Sequence, residues 1–469
     1  MKLYLASSST SRQGLLELSR IPFTAQPADI DEKATSKDWT DPQKITLNLA
    51  KAKALKISEG FPDDLVLGAD QTLSFKGQVR GKPESPDQLK SWFREMGGKE
   101  HHLFTSQVLV KNGALIWSYT AATKLVLRPF DQIDFDDYIA KHWEDVRHCA
   151  GGYMFEVTPH IFSHVSGSVS DIMGLSVLEL SEALKEISYL PSAWQPPKFA
   201  AVLGHPIAHS KSPRIHRYWL NQSAVAGDYL KIDIPPVFFE DTVNVLFQAG
   251  FSGFNVTIPH KGAALSVAGV TTDRASAIGA SNTLYLNEKN EIVAENTDGL
   301  GFLAHLMQSV PTWQSLGKSV LVLGAGGAAR AVVSAMVNDG AGSVKILNRT
   351  KDKADQIAAM YDHKVASGHW DDRSTEIAEA DLIVNTTSLG MDKMPALEID
   401  FRHASSGKVF YDLVYAPLET NFLSEARSRG CTCVDGLGML LHQAAPGFAA
   451  WFDQMPVVDD KLRAVVLEQ

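Results

Sequence analysis

KSVLVLGAGGAARAVVSAMV, residues 318–337, is the stretch on which the architecture of the larger part of this chain turns. A short apolar run, Val320 to Leu323, has the length and composition of a buried strand, and a helix-forming segment rich in alanine and valine follows it. Between them Gly324, Gly326 and Ala329 fit the G-x-G-x-x-G/A pattern. Glycine at 324 permits the tight turn, glycine at 326 lets a pyrophosphate approach the backbone, and small Ala329 lets the helix pack close to the sheet. The turn formed by Gly324, Ala325, Gly326, Gly327 and Ala328 is therefore the expected phosphate cradle of a dinucleotide. A glycine pattern alone also occurs as a structural turn; the strand before it and the helix after it favour the nucleotide.

The end of the next strand, SVKILNR, selects the cofactor. An NAD site needs an acid there to accept from the ribose 2′-hydroxyl, but the chain carries Asn348, Arg349 and Thr350, followed by Lys351 and Lys353. A guanidinium pairs bidentately with a 2′-phosphate that a carboxylate would repel, so NADP(H) is preferred, with Arg349 as a solvated loop residue the alternative. Further strand-like runs at ADLIVNTT and KVFYDLVY, spaced by helical stretches, extend the pattern to an α/β fold with a parallel sheet wound on both faces.

Working outward, residues 198–301 alternate short apolar strands with helical segments, and SYLPSAWQPPKFA, residues 188–200, concentrates Pro191, Pro196 and Pro197 into a seam. The expected domains are 1–188, a linker at 189–197, and 198–469, the last divided into 198–301, 318–436 and a returning tail at 437–469. In that tail MLLHQAAPGFAAWF reads as a helix kinked or broken at Pro446. No repeat or low-complexity tract interrupts the chain.

Composition excludes several classes. The net charge of −10 comes with no basic run, which argues against nucleic acid as a partner. Cys149, Cys431 and Cys433 are too few for a disulfide framework and lack the second pair of a zinc site. The opening MKLYLASSSTSR reads as a buried strand rather than a signal peptide, and the longest apolar window, Val320–Val337, is broken by Arg330 and glycines. A cytoplasmic protein without a membrane span is expected.

One segment carries reactive character. In FNVTIPHK, residues 254–261, Phe254, Val256 and Ile258 alternate with Asn255 and Thr257 as in a half-buried strand, Pro259 ends the ladder, and Lys261 follows. Together with GHPIAHSKSPRIH (204–216), IGASNTL (278–284), ENTDGLG (295–301), YDLVYAP (411–417) and DGLGMLLHQAA (435–445), this segment resembles shikimate dehydrogenase, in order and over essentially all of residues 198–469. The resemblance implies a parallel-sheet substrate subdomain, a Rossmann NADP-binding subdomain, and reversible reduction of 3-dehydroshikimate by NADPH. Ser210 and Ser212 would then hold the substrate carboxylate; Asn255, Thr257, Asn282 and Gln443 would bind ring hydroxyls; Lys261 and Asp298 would flank the reacting oxygen. Tyr415, Leu413, Gly436 and Met439 would line the nicotinamide and substrate cleft. His205, His209, His216 and His260 receive no chemical role. Ser281 departs from the small apolar residue usual before Asn-Thr. A quinate-type enzyme using NAD stays open as an alternative, and a homodimer is one assembly open to the chain.

Residues 1–188 carry different clusters: LASSSTSRQGLL (5–16), ADIDE (28–32), LAKAKA (49–54), LGADQT (67–72), GKP (81–83) and HCAGGYMFE (148–156). The set resembles the Maf family of nucleotide pyrophosphatases and implies cleavage of a nucleoside triphosphate to monophosphate and pyrophosphate. Arg12, Lys53 and Lys82 would neutralise phosphates, Ser11 would face the substrate, and Glu32 and Asp70 would hold a divalent cation, Mg²⁺ or Mn²⁺, with Asp70 also activating water. Gln71, the HCAG run and Glu156 look like the branch acting on 7-methyl-GTP. Thr10, Ser11, Ser106, Val157 and Ser176 depart from the family pattern, so a module that binds nucleotide without hydrolysing it remains the alternative.

Overall fold

A computed structural model describes residues 1–36 and 39–468. The apolar opening forms β1 (Leu3–Leu5), fully buried and parallel to both β2 (Thr24–Ala25) and β3 (Leu65–Phe75). Then β4 (Gln78–Arg80) folds back on β3, and β5 (Glu100–Lys111), β6 (Ala114–Leu127) and β7 (Phe162–Ser166) extend the sheet antiparallel, in the order β2-β1-β3-β5-β6-β7. Its helices are α1 (Thr10–Leu18), α2 (Glu32–Ser36), α3 (Pro42–Ser58), α4 (Pro86–Met96), α5 (Phe135–Val146), α6 (Val169–Met173) and α7 (Val177–Glu186).

Helix α3 shows why a lysine ends up inside. Asp41 caps it by accepting from the Gln43 amide, Pro42 occupies the first turn where no N–H is needed, and Ile45, Leu49, Ala50, Ala54 and Ile57 recur at helical spacing on the buried face. Ala50 and Ala54 pack with Val66, Val108 and Val110 of the sheet. Lys53 lies between those alanines, so the same periodicity turns its stem inward.

Two compact units are present: Met1–Pro213 with Leu220–Gly253 and Ile258–His260, and Arg214–Trp219 with Phe254–Thr257 and Lys261 onward. In the first, β8 (Lys198–Gly204) pairs in parallel with β9 (Gly227–Asp233). The chain passes from β8 through α8 (Ser212–Gln222) to β9, then through α9 (Phe239–Gln248) to β10 (Gly253–Val256).

In the second unit, β11 (Val270–Thr271) and α10 (Asp273–Ile278) lead to β12 (Thr283–Leu286), which forms an antiparallel hairpin with β13 (Ile292–Glu295), so these strands are not all parallel. After α11 (Asp298–Ser309) comes the doubly wound part. It contains β14 (Ser319–Leu323), β15 (Ser343–Asn348), β16 (Val365–His369), β17 (Leu382–Asn385), β18 (Val409–Asp412) and β19 (Thr432–Val434). All pairings are parallel, in the order β16-β15-β14-β17-β18-β19, which reverses direction at β14 and opens a crevice at the strands' carboxyl ends. The accompanying helices are α12 (Gly327–Asn338), α13 (Lys351–Ala358), α14 (Arg373–Glu376), α15 (Asn421–Ser428), α16 (Leu437–Phe452) and α17 (Asp460–Leu467).

Two expectations need correction. The 254–258 segment is not a half-buried strand: β10 ends at Val256, all four of its residues are buried, and Ile258 is 74% exposed. A strand enclosed on both faces has no solvent side to alternate with. Nor is α16 broken at Pro446; it runs through that proline with Ala444, Ala445, Phe448 and Trp451 buried around it, and Trp451 Nε1 donates to the Leu284 carbonyl at 2.9 Å. Packing outweighs the one lost backbone bond. No helix among the described residues is long and apolar enough to cross a membrane.

Candidate functional site

The dinucleotide turn has the local geometry its sequence requires. Gly324 sits at φ +112°, and a side chain there would meet Thr386 Oγ1 at 2.6 Å, so both conformation and space demand glycine. Beyond it, Cβ atoms on Gly326 and Gly327 would meet nothing within 4 Å, and no side chain caps the start of α12 among the described residues. A pyrophosphate needs such a cradle: free backbone donors at the positive end of a helix. At the end of β15, Asn348 Nδ2 donates to the Thr350 carbonyl at 2.8 Å and shapes the loop. Exposed Arg349 and Lys353 make no side-chain hydrogen bond or ion pair among the described residues, leaving two cations available to a 2′-phosphate. These residues fit NADP(H).

Around Lys261, residues far apart in sequence converge. Lys261 Nζ donates to Asp298 Oδ2 at 2.7 Å, with the two side chains 33% and 13% exposed. Asp298 opens α11, where the helix dipole favours a carboxylate. Its other oxygen accepts from Asn282 Nδ2 at 2.8 Å, and the same amide reaches Gln443 Oε1 at 3.1 Å. Asn255 Nδ2 donates to the Asn282 carbonyl at 3.2 Å. Asn282 is thus a hub whose amide ties Asp298 to Gln443, while Lys261 keeps two ammonium hydrogens beyond its bond to Asp298. Ser281, the departure from the family pattern, donates its backbone N–H to the Lys261 carbonyl at 2.8 Å and its hydroxyl to the Glu295 carbonyl at 2.9 Å. Half-buried Thr257 lies just past β10.

In the other unit, Ser210 Oγ accepts from the Ser212 amide at 3.3 Å, and Ser212 hydrogen-bonds Tyr229, whose phenol burial pushes well up. Near the end of β18, Leu413 is half-buried, Tyr415 is exposed, and the buried Gly436 donates its N–H to the Val414 carbonyl at 3.2 Å; Met439 packs in the core. Among the histidines without a role, His216 is buried against Trp219, Phe448 and Trp451, where burial pushes it down to about 3. His260 bonds the Ile234 carbonyl at 2.8 Å, while His205 pairs with Asp233 at 2.7 Å at the surface.

Two supporting networks escaped the sequence reading although they lie inside or beside the quoted clusters. Glu295, buried, accepts from the Asn296 amide at 2.7 Å and from both Nε and an Nη of Arg274 at 3.1 and 2.5 Å, fixing the backbone that presents Asp298. Asp412 accepts from Asn385 Nδ2, the Val414 amide and Thr420 Oγ1 at 2.9, 3.0 and 2.6 Å; burial still pushes its carboxyl up to about 6. The Asp in YDLVYAP was the available signal, but its partners lie on other strands and loops.

In the first domain three of the expected charged residues, Glu32, Lys53 and Asp70, meet. Lys53 Nζ lies 2.6 Å from both Asp70 Oδ1 and Glu32 Oε1 and bridges them. Burial pushes the Glu32 carboxyl up, but its bond to Lys53 and the charges of Lys53, Lys82 and Arg12 outweigh this and hold it low. At the more deeply buried Asp70, burial dominates and the net shift is upward despite Lys53 and Arg12. Arg12 is lowered, chiefly by burial; its Nε donates to the Gly174 carbonyl at 3.0 Å and an Nη to Ser7 Oγ at 3.1 Å. Lys82 is exposed, and Ser11 is half-buried in the first turn of α1.

No group of three or more metal-ligating side chains occurs among the described residues. Two carboxylates, each with one oxygen outside the lysine bridge, nevertheless suit Mg²⁺, which takes few protein ligands and completes its shell with substrate phosphates and water. Gln71 Nε2 is committed to Thr105 Oγ1 and the carbonyls of Asp171 and Ile172 at 2.9, 3.0 and 2.9 Å, leaving its oxygen as the atom free to accept. Burial pushes the half-buried Glu156 carboxyl up. Of the departures, Ser106 bonds Thr120 at 2.8 Å, whereas the buried Ser176 hydroxyl has no hydrogen-bond partner among the described residues.

Comparison with known proteins matches separate stretches of the chain to different families. Residues 2–187 match the family described as Maf-like protein, 202–284 the shikimate dehydrogenase substrate binding domain, and 307–394 shikimate / quinate 5-dehydrogenase. A shikimate dehydrogenase (NADP(+)) of Jannaschia sp. (strain CCS1) is 47% identical over 268 residues, covering 57% of this chain and 96% of that protein. The solved shikimate 5-dehydrogenase of Thermus thermophilus in complex with NADP(H) and shikimate is 33% identical, with a TM-score of 0.52 over 57% of this chain and 98% of the other. A quinate dehydrogenase from Corynebacterium glutamicum in complex with NAD is 27% identical, with a TM-score of 0.54 over 58% and 99%. The chain belongs to the shikimate dehydrogenase family over its larger part and carries a Maf-like domain ahead of it.

Proposed function

We propose that residues 198–469 catalyse the reversible NADPH-dependent reduction of 3-dehydroshikimate to shikimate, with Lys261 and Asp298 as the catalytic pair. The observation that carries this reading is the 2.7 Å ammonium–carboxylate contact, tied through Asn282 to Gln443. NADPH, when bound, supplies the hydride. As negative charge grows on the carbonyl oxygen, Lys261 stabilises it and delivers a proton. Asp298 holds the ammonium in place and orients a substrate hydroxyl. Ser210 and Ser212 take the carboxylate, Asn255, Thr257, Asn282 and Gln443 the ring hydroxyls, and Leu413, Tyr415 and Gly436 border the nicotinamide.

Absorbance at the nicotinamide band, with shikimate or quinate offered alongside NADP⁺ or NAD⁺, tests the reading. Shikimate with NADP⁺ is expected to turn over fastest; quinate with NAD⁺ as the best pair would replace it. Arg349→Asp should raise the KM for NADP⁺ by about 10- to 100-fold, the worth of charge-assisted bonds to a phosphate, and shift preference toward NAD⁺. Because Arg349 is exposed, the fold should be unaffected, and an unchanged cofactor ratio would remove its role.

The first domain is read as a metal-dependent pyrophosphatase. Arg12, Lys53 and Lys82 gather phosphate charge, while Glu32 and Asp70 hold Mg²⁺ or Mn²⁺. Gln71, left with only an acceptor, and the Glu156 carboxylate suit the N–H donors of a guanine edge, and the resemblance to the branch acting on 7-methyl-GTP makes that nucleotide the proposed substrate. Pyrophosphate release from a panel of triphosphates with Mg²⁺ should be highest for that nucleotide. Asp70→Asn should lower it by on the order of 10²-fold or more, since the substitution removes a metal ligand and the proposed base. Equal release by wild type and variant would discard the assignment, and no release from any triphosphate would leave a nucleotide-binding module.

A further inference from the structure

The Maf-like domain and the first strands of the dehydrogenase part fall within one compact unit, and a buried arginine lies where they meet. Arg128, just past the end of β6, is only 5% exposed. Its Nε donates to the His160 carbonyl of its own domain at 2.8 Å. Its other contacts come from the dehydrogenase side: an Nη pairs with Asp241 Oδ2 at 3.1 Å, and the guanidinium lies 4.7 Å from the centre of the Phe238 ring. The His160 ring stacks on the same phenylalanine at 6.3 Å. A buried guanidinium is tolerated only where partners compensate its lost hydration, and Asp241 is the only carboxylate paired with it among the described residues.

A second contact joins helix ends. The Val169 amide, in the first turn of α6, donates to the carbonyl of Ala249, the residue capping α9, at 2.8 Å. Each group would be an orphan of its own helix, and each satisfies the other across the domain boundary. Segment 171–174, which follows directly, supplies the carbonyls that hold Gln71 and Arg12. Nearby, an Nη of Arg20 donates to the Leu220 carbonyl at the carboxyl end of α8, 2.7 Å away, where a cation is favoured. The proline-rich connection is itself fastened: Tyr189 donates to the Pro22 carbonyl at 2.6 Å and Trp194 Nε1 to the Ser19 carbonyl at 3.0 Å.

We propose that the Maf-like domain is docked on the part of the dehydrogenase that shares its compact unit, residues 198–213 and 220–253, through a clamp around Arg128 and the Val169–Ala249 bond that holds without the peptide connection. The test uses the full chain with a protease site inserted after exposed Ser192, cut after purification, so that both parts have already folded. At micromolar concentration the cut halves are expected to elute together at the mass of the intact chain. Arg128→Asp should raise their dissociation constant by on the order of tenfold or more, because it places a buried carboxylate opposite Asp241. The exchange Arg128→Asp with Asp241→Arg should recover part of that loss. Separate elution of the cut wild-type halves would overturn the proposal, and a dissociation constant indifferent to Arg128→Asp would overturn the clamp.

Discussion

Replacing Lys261 by alanine is expected to lower shikimate turnover by about 10²- to 10⁴-fold while NADP⁺ binds as before. The reason lies in what the ammonium does along the reaction. In the ground state it rests on Asp298, 2.7 Å away, and that bond needs no substrate. In the proposed mechanism its contribution grows only as charge develops on the reacting oxygen, so its loss should appear in kcat rather than in binding. Alanine leaves Asp298 held by Asn282, and the backbone at 261 stays pinned through the Ser281 amide, so the fold should persist. Stopped-flow measurement of hydride transfer, with NADP⁺ affinity measured by fluorescence, separates the two quantities. A rate within a few-fold of wild type would remove Lys261 from the chemistry.

The second large effect is expected from one methyl group placed away from the substrate. Gly301 lies one turn along α11 from Asp298, and a Cβ built there would sit 2.6 Å from both the Cβ and the amide nitrogen of Gln443 in α16. Those atoms belong to the backbone or adjoin it, so rotating a side chain cannot relieve the clash. Helices α11 and α16 must part, at an overpacking cost of about 1–3 kcal/mol. The displacement separates Gln443 from Asp298 and strains the bond from Thr297 Oγ1 to the Gln443 carbonyl, 2.7 Å long. Misplacing groups by roughly 1 Å costs on the order of 10²-fold in rate. Gly301→Ala should therefore yield a folded protein with a lower Tm and a kcat/KM for shikimate reduced by about that factor. Unchanged turnover with an unchanged Tm would mean that the glycine contact does not set the spacing of these helices.

What was legible in the sequence was short-range. The turn at 324–329 could be read because a tight strand-to-helix connection and a close phosphate approach each restrict residue type within a few positions. Those restrictions hold wherever the segment sits, and the structure places Gly324 at positive φ with open space over Gly326. Absence of an acid after β15 was equally local. The parts misread were those in which neighbours decide. The 254–258 alternation promised one wet face, yet β10 is buried throughout because both its faces are covered. Pro446 promised a break, yet the packing of Ala444, Phe448 and Trp451 keeps α16 continuous.

By itself, then, the sequence determined the turn chemistry, the family of each part and the residue types the reactions require, because these follow from sterics and charge over a few residues. Only the tertiary structure decided which of them touch. Lys261 meets Asp298 across 37 positions, Asn282 meets Gln443 across 161, and Lys53 sits between two acids rather than in water. Such pairings depend on how separate strands and helices pack, and packing is a property of the whole chain that no window of sequence encodes.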